Sequence, residues 1–600
     1  MNLCDYIVEF LQRKGVEKVF CVYGSANSYF IKSLADKNMQ VCTTTENGAG
    51  FAAEGYSKIN GFSCVTATSG PGAICLLNGL ASCWYDSTPA LFITGQVNTK
   101  FMRPDNSIRQ VGFQETPILE MVAGITKYAK MVTNKEDIKY EIEKAYFLAN
   151  EGRNGPVLLD LPINVQHSDI NPEELIGYIA IEDNYYDNQT NGLIDEFLTD
   201  LSNAQRPAIL IGGGCQRDKE KVRSMLSYID IPTYTTWNAL DIISPEDSYY
   251  AGQVGTYGSS TRNFGIQNCD LLLCLGSRLS GRITGGHLEG FARAAKKYVV
   301  DIDKALLQRK MQPVKFDRCI YSSVAYFCEE VMNSKHKLVF DIDSWRIQNK
   351  TWLEKYDPVK PEYYEDKSII HPYAFMRTLS EVCKKDDIIL SDCGGNVVVS
   401  NSSFKVKNGQ RFFSSNGHSS MSFSFPGSIG AWYANKNPKS NIICIIGDGG
   451  MGMQVGELQT LKNYGIKVKV FILNNHIYGI TRKFQKINFV GTKEHACSAP
   501  DYQPPDFVKV AEAYGIKALY IKQPIEWDDI KNHIRYILSL NESVICSVEC
   551  PDFCSYYPAV SGWNPIEDME PLLSLEELQS NMYIPLLKET IERERPNGTS

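Results

Sequence analysis

The stretch IICIIGDGGMGMQVGELQTLKNYGIKVKVFILNNHIYG, residues 442–479, decides how this chain is read. The apolar run Ile442 to Ile446 predicts a buried strand and Gly447 to Gly452 a turn. Val455 to Tyr464 reads as a helix closed by Gly465, and Val468 to Leu473 as the next parallel strand. Asp448 and Asn475, 27 positions apart, then leave the carboxyl edge of one sheet. A hard cation such as magnesium takes a near-octahedral shell of oxygens and keeps phosphate oxygens in it, so a carboxylate, an amide and a backbone carbonyl suit it there. Gly447, Gly449 and Gly450 let backbone N–H groups approach phosphate at a helix N-terminus. A glycine-rich turn without function accounts for GDG alone; the Asn-Asn pair at the end of the following strand argues for a diphosphate-metal site.

A second unit shows the same strand-to-helix logic. The run Gln40 to Thr45 ends at Glu46, immediately before NGAGFAAEGYSKING. Taken alone, a Glu that begins a helix is a macrodipole partner, and Glu54 a solvated helix residue.

GDG followed after a helix by NN, together with ENGAGFAAEGY, TSGPGA and GHSSMSFSFPGSIGA, resembles the thiamine diphosphate fingerprint, and much of the chain is similar to the acetohydroxyacid (acetolactate) synthase family. The resemblance implies that Asp448, Asn475 and the carbonyl of Ile477 hold magnesium. It places Gly395, Asn396, Ser419, Gly447, Gly449 and Gly450 around thiamine diphosphate, and Met421 beneath its two rings, where a polarizable thioether packs well. Glu46 would stand against the aminopyrimidine ring, with Ala49, Ala52 and Ala53 taking water away from its carboxyl, as proton exchange near neutrality requires.

Composition bounds the rest. Six hundred residues, 43% of them hydrophobic, exceed one compact core and suit three or four domains. A net charge of −8 without a basic, aromatic-interleaved cluster argues against nucleic acid. No apolar run reaches the roughly 18 residues a bilayer needs, and MNLCDYIVEFLQRKG reads as an amphipathic helix ended by Gly15, so a cytoplasmic protein is expected. The 18 cysteines are scattered through strands and helices and predict reduced, buried, small apolar side chains; Cys550 and Cys554 lack the further ligands of a zinc site.

The fold class is therefore α/β, and the resemblance makes it three doubly wound parallel-sheet domains of the thiamine diphosphate-dependent fold. We expect a pyrimidine-binding domain over 1–175, a central FAD- or nucleotide-binding-like domain over 190–335, a diphosphate- and magnesium-binding domain over 365–555, and a tail over 556–600. IEDNYYDNQTNG reads as a linker, the charged SWRIQNKTWLEKYDPVKPEYYEDKS as a lead into the third block, and ERPNGTS as loose chain. The first and third blocks look like distant copies of one architecture.

Glycines 212 to 214 lack the G-x-G-x-x-G frame, which makes a dehydrogenase weakly supported. The related synthases bind FAD in this block without redox use. Their motifs are followed here by Arg153, Gly212, Gly213, Gly255, Gly258, Arg278, Arg282 and Asp301. Two arginines four apart suit a pyrophosphate, although a solvated basic face explains them as well. The resemblance also implies a homodimer or homotetramer in which the first block of one subunit faces the third block of another.

The carbanion left by decarboxylating a 2-oxo acid is either protonated or attacks a second carbonyl. Decarboxylases commonly supply a histidine pair as proton donor, whereas this chain has no histidine before His167. The corresponding stretch RQVGFQET offers Phe113 and Gln114, and a neutral amide steers a carbonyl without quenching a carbanion. This favours joining pyruvate to a carbonyl acceptor, ahead of simple decarboxylation and of a non-catalytic scaffold. Two positions depart from the synthase pattern: Phe484 stands where the family has Trp, and Ile163 replaces the lysine after DLP. With FQET, GTYGS and EDMEPLL, these departures look closer to synthase-like proteins of surface-sugar pathways, some of which add an acetyl unit from pyruvate to a keto-sugar nucleotide.

Overall fold

Short apolar runs bounded by turn residues become the strands of three six-stranded sheets, and every pairing within these sheets is parallel. The computed structural model describes residues 1–595 apart from 309–313, 337, 339 and 500. The first sheet holds β1 (Val19–Cys21), β2 (Gln40–Cys42), β3 (Ser63–Ala67), β4 (Ala90–Gln96), β5 (Tyr128–Met131) and β6 (Val157–Pro162). The central sheet holds β7 (Pro207–Ile211), β8 (Thr233–Thr235), β9 (Tyr250–Gln253), β10 (Leu271–Leu275), β11 (Lys296–Asp301) and β12 (Arg318–Tyr321). The third holds β13 (Ile388–Ser391), β14 (Arg411–Phe413), β15 (Ile442–Gly447), β16 (Val468–Asn474), β17 (Lys517–Ile521) and β18 (Val544–Glu549). Helices cover both faces of such sheets, which is why β15 and β16 are almost wholly apolar instead of alternating.

The first and third sheets share one order, β2-β1-β3-β4-β6-β5 and β14-β13-β15-β16-β18-β17. The central sheet runs β12-β11-β10-β7-β8-β9, the order of dinucleotide-binding folds. In each, the chain reverses direction beside its first strand, and the crevice at the carboxyl ends there is where ligands bind in open α/β sheets.

One hydrophobic core joins the first and third sheets. Its centre is the crossing of helix Glu46–Asn60 with helix Ser424–Ala434. The backbones approach so closely that a Cβ on Gly430 would lie 1.8 Å from the Ala52 carbonyl oxygen, and one on Gly55 2.0 Å from that of Gly427. Ala49, Ala52 and Ala53 are consumed by this buried core.

Several stretches differ from expectation. Gly447 to Gly452 is not a turn: Gly447 caps a short helix, Asp448–Met453, and the next helix starts at Glu457. Glycine costs helix stability, but here the crowding around Gly449 and Gly450 leaves no room for a side chain. The charged lead into the third block contains helix Asp343–Lys355, whose Trp345 and Trp352, seven apart on one face, are buried in the central core. The expected linker docks Tyr186 on Tyr326 with ring centroids 4.4 Å apart. Residues 556–595 pack back onto the central block: β19 (Ala559–Val560) pairs with β20 (Met569–Glu570), and Ile566 and Leu578 enter that core. Arg595, within the stretch expected to be loose, bonds Asp568 at 2.8 Å, while 596–600 lie outside the described residues. The cysteines are free, most of them buried, and no helix among the described residues is long and apolar enough to cross a membrane.

Candidate active site

The reversal point of the third sheet lies between β13 and β15. Residues 392–396 follow β13, residues 448–450 follow β15, and residues 475–481 follow β16, so three strand-to-helix connections meet at one edge. With Ser419, Met421 and Tyr556 they line a single cavity of about 260 Å³. The structure thereby brings together Gly395, Asn396, Ser419, Met421, Gly447, Asp448, Gly449, Gly450, Asn475 and Ile477.

Asp448 is the charged centre of this wall. Its Oδ1 accepts the Gly449 N–H at 2.8 Å, whereas its Oδ2 is buried without a partner. Burial pushes its carboxyl up to about 7, partly offset by that hydrogen bond and by the nearby His476. The Asn475 Nδ2 donates to the Phe553 carbonyl at 2.8 Å, which leaves the amide oxygen as the atom available to a cation. His476 takes the left-handed conformation (φ 58°) and donates or accepts at Glu549 Oε2, 2.7 Å away, so the chain turns and Ile477 returns to the cavity wall. One orphaned carboxylate oxygen, one amide oxygen and one carbonyl are three of the about six oxygens that magnesium takes, and phosphate and water complete such a shell.

The glycines are required by their neighbours. A Cβ on Gly395 would meet the Tyr556 ring at 2.2 Å, on Gly449 the Tyr478 ring at 2.4 Å, and on Gly450 the Asp392 Oδ2 at 2.4 Å. A Cβ on Gly447 would instead enter open space, meeting no atom beyond its chain neighbours within 4 Å. This cradle and the donor set fit a metal-bound diphosphate.

Among the wall residues that escaped sequence reasoning are Asp392, Tyr478 and Tyr556. Asp392 accepts the Ser422 N–H at 2.9 Å and the Ser424 N–H at 3.1 Å, fixing the loop that carries Met421; Ser419 and Ser422 hold positive φ in that loop. Burial pushes the Asp392 carboxyl up to about 7 against these bonds. The available signal was a lone acid ending an apolar strand before paired glycines, DIILSDCGGN, the same pattern as IIGDGG.

The cavity lining contains no residue from the first block. Glu46 begins helix Glu46–Asn60 behind the N-cap Thr45, whose side chain accepts the Gly48 N–H at 2.9 Å. Within one chain its carboxyl is half-buried, and the alanines expected around it face the helix crossing instead. Phe113 is 84% exposed and Gln114 is held at φ 65° beside Gly70. Glu54, read as solvated, is fully buried 3.4 Å from Lys58, which also meets Asp86 at 3.4 Å; burial pushes its carboxyl up to about 7.

In the central sheet, the turns after β7 and β10 meet at the reversal point. The Gly212 N–H donates to the Leu275 carbonyl and the Gly214 N–H to the Gly276 carbonyl, both at 2.9 Å. A Cβ on Gly212 would lie 2.3 Å from the Gly276 oxygen, so turn-to-turn packing alone demands this glycine, while Gly213 faces Asn238. Arg153 reaches Ser87 at 2.9 Å and Asp303 at 3.4 Å, beside Asp301. Burial, and then the charge of Arg153, lower Arg278. The Arg282 guanidinium lies over the Tyr257 ring at 5.3 Å. Gly255 and Gly258 pack on the Arg282 carbonyl and on Ser402.

Three family models match the chain in succession. They are the N-terminal TPP binding domain of thiamine pyrophosphate enzymes over residues 1–121, the central domain over 194–325, and the C-terminal TPP binding domain over 392–548. The chain is 30% identical over 578 residues to acetolactate synthase 2, chloroplastic, of Nicotiana tabacum, covering 94% of this chain and 84% of that one. It is 31% identical over 566 residues to the probable acetolactate synthase large subunit of Methanocaldococcus jannaschii, covering 91% and 92%. Acetolactate synthase 1, chloroplastic, of Zea mays is 30% identical over 582 residues, with 94% and 88% covered. The chain belongs to the thiamine pyrophosphate enzyme family and is a distant relative, at 30 to 31% identity, of the acetolactate synthase large subunits.

Proposed function

We propose that this protein is a thiamine diphosphate- and magnesium-dependent carboligase that removes carbon dioxide from pyruvate and joins the remaining two-carbon unit to a second carbonyl. The observation that carries the reading is the third-sheet cavity, where the orphaned Asp448 Oδ2, the Asn475 amide oxygen and the Ile477 carbonyl adjoin glycines that admit no side chain. These three groups would hold magnesium, with Gly395, Asn396, Gly447, Gly449 and Gly450 around the diphosphate. When bound, thiamine diphosphate supplies a carbon nucleophile for the 2-oxo acid and a sink for the electron pair that decarboxylation leaves.

The chain's own groups would do the rest. Met421, on the loop fixed by Asp392, supports the cofactor rings, and Ser419 borders them. Glu46 of a second copy would stand against the aminopyrimidine ring to hold or release its proton, and Phe113 and Gln114 of that copy would close the site. A homodimer, or a homotetramer built from it, is supported by a cavity without first-block residues and by the exposure of Phe113, Tyr23 and Ile74 on one block and Phe484 and Val490 on another. No histidine lines the cavity, and none precedes His167, which favours carbon–carbon bond formation over protonation.

Arg278, just beyond β10 at the reversal point of a sheet with dinucleotide-binding order, supports FAD in the central block, held without a redox part in the reaction. We place the protein in the cytoplasm. The acceptor is the open choice: Phe484, 58% exposed, and Ile163 replace residues of the synthase pattern, which supports a larger acceptor such as a keto-sugar nucleotide beside pyruvate or 2-oxobutyrate. Mass spectrometry of products formed from pyruvate, thiamine diphosphate, magnesium and FAD tests this. Acetolactate from pyruvate alone supports synthase chemistry, an adduct only with a keto-sugar nucleotide supports the second acceptor, and acetaldehyde alone overturns carboligation.

A further inference from the structure

We propose that the Tyr556 hydroxyl donates a hydrogen bond to the cofactor's diphosphate, making Tyr556 a further cofactor-binding residue; the inference rests on the cofactor reading above. Tyr556 lies beyond β18, outside every motif that the sequence displays, yet it lines the cavity. The side chain fills the gap between two glycines. A Cβ on Gly395 would stand 2.2 Å from its Oη, and one on Gly479 2.1 Å from the same atom. Gly395 opens helix Gly395–Ser403 and Gly479 opens helix Gly479–Asn488. The hydroxyl therefore sits where two helix N-termini converge, and the unpaired N–H groups and dipoles of both favour an anion. The Cβ on Gly479 would also lie 2.6 Å from the Asn475 Nδ2, so the phenol neighbours the amide assigned to the cation.

Tyr556 is 4% exposed and lines the cavity wall. The residue is held firmly. Its ring meets Phe553 edge-on at 5.5 Å, and its carbonyl accepts from the Nζ of Lys483, which is itself buried 3.9 Å over the Tyr557 ring. A buried unpaired donor, the Asn396 Nδ2, stands in the first turn of the Gly395 helix, and Asn396 lines the same cavity. This donor beside the unpaired Asp448 carboxylate oxygen is the complement of a phosphate that carries a cation. Burial raises the phenol well above its ordinary range, so it keeps its proton and stays a donor at neutral pH.

The test is Tyr556→Phe in the full chain, which keeps the ring packing and removes one oxygen. Affinity for thiamine diphosphate with magnesium is titrated by intrinsic fluorescence, beside thiamine, which lacks the diphosphate, and inorganic pyrophosphate as a competitor. We expect thiamine diphosphate and pyrophosphate to bind about tenfold more weakly, as for one lost hydrogen bond to a charged group, with thiamine unchanged. Equal thiamine diphosphate affinity in parent and variant would overturn the role. So would parallel weakening of thiamine, which would mean that the hydroxyl serves the rings or the fold. A parent that binds no thiamine diphosphate at all would remove the cofactor reading, and this inference with it.

Discussion

Glu457 accepts the backbone N–H of Thr45 at 3.2 Å, one residue before Glu46, and that of Thr44 at 3.1 Å. Glu457 itself opens the helix that follows the Asp448 turn. One fully buried carboxylate thus ties the turn carrying the candidate proton-exchanging acid to the unit carrying the candidate cation ligand.

Replacing Glu457 by Ala leaves those two N–H groups and the Thr44 and Thr460 hydroxyls without their acceptor. We expect a loss of about 2 to 4 kcal/mol in urea unfolding. A change below about 0.5 kcal/mol, the size of an ordinary surface substitution, would mean that water or a neighbouring group replaces the carboxylate.

Glu46→Gln and Asp448→Ala should separate the two halves of the site. The first is expected to abolish turnover with thiamine diphosphate affinity retained. The second should weaken magnesium and thiamine diphosphate together, by at least about tenfold, because it removes the carboxylate whose Oδ2 is left free for the cation. Paired titrations and rate measurements check both. Unchanged turnover in the first, or unchanged cofactor titration in the second, would move the assigned role to another residue.

Gly447→Ala and Gly450→Ala should fail differently. A Cβ on Gly447 would meet no atom beyond its chain neighbours within 4 Å, so its variant is expected to melt like the parent without cofactor and to bind thiamine diphosphate poorly. A Cβ on Gly450 would lie 2.4 Å from the Asp392 Oδ2, and that variant should lose stability before any cofactor is added. Thermal melts with and without the cofactor distinguish the two, and identical behaviour would contradict the contrast.

Asp160 makes a pH dependence visible. It is fully buried in β6, and burial pushes it up to about 7 although the Thr94 hydroxyl and the Gln96 amide donate to it at 2.7 and 3.0 Å. Between the unfolded value near 4 and about 7, the native state holds a proton that the unfolded chain has released, so stability falls as pH rises through this window. The slope from this residue is at most about 1.4 kcal/mol per pH unit. Asp160→Asn imitates the protonated acid and should flatten the decline in urea midpoint between pH 5 and 7.5. Equal declines in parent and variant would contradict it.

What the sequence made legible follows from where each residue acts. The runs at 442–446 and 470–473 are apolar throughout because both faces of their sheet are covered, and Asp448 and Asn475 stand out as polar residues just beyond them. Asp392 was hidden because its carboxylate acts on backbone N–H groups about thirty positions away, a contact that no local pattern encodes. Tyr556 was hidden because an aromatic residue in a connecting segment has no period to betray it. Trp345 and Trp352 have helical spacing, but the charges around them masked the buried face. Glu54 looked solvated because a helix pattern does not show what covers it: Lys58 stands one turn on in the same helix, but Asp86, which meets Lys58, comes from beyond β3.

The most direct measurement is the fate of the label from [2-13C]pyruvate, followed by NMR with the complete protein, thiamine diphosphate, magnesium, FAD and a carbonyl acceptor. We predict the label in a quaternary carbinol-linked acetyl product, formed by the parent and absent with Glu46→Gln. Label found only in acetaldehyde, or left entirely in pyruvate, would contradict the assignment of carboligase chemistry.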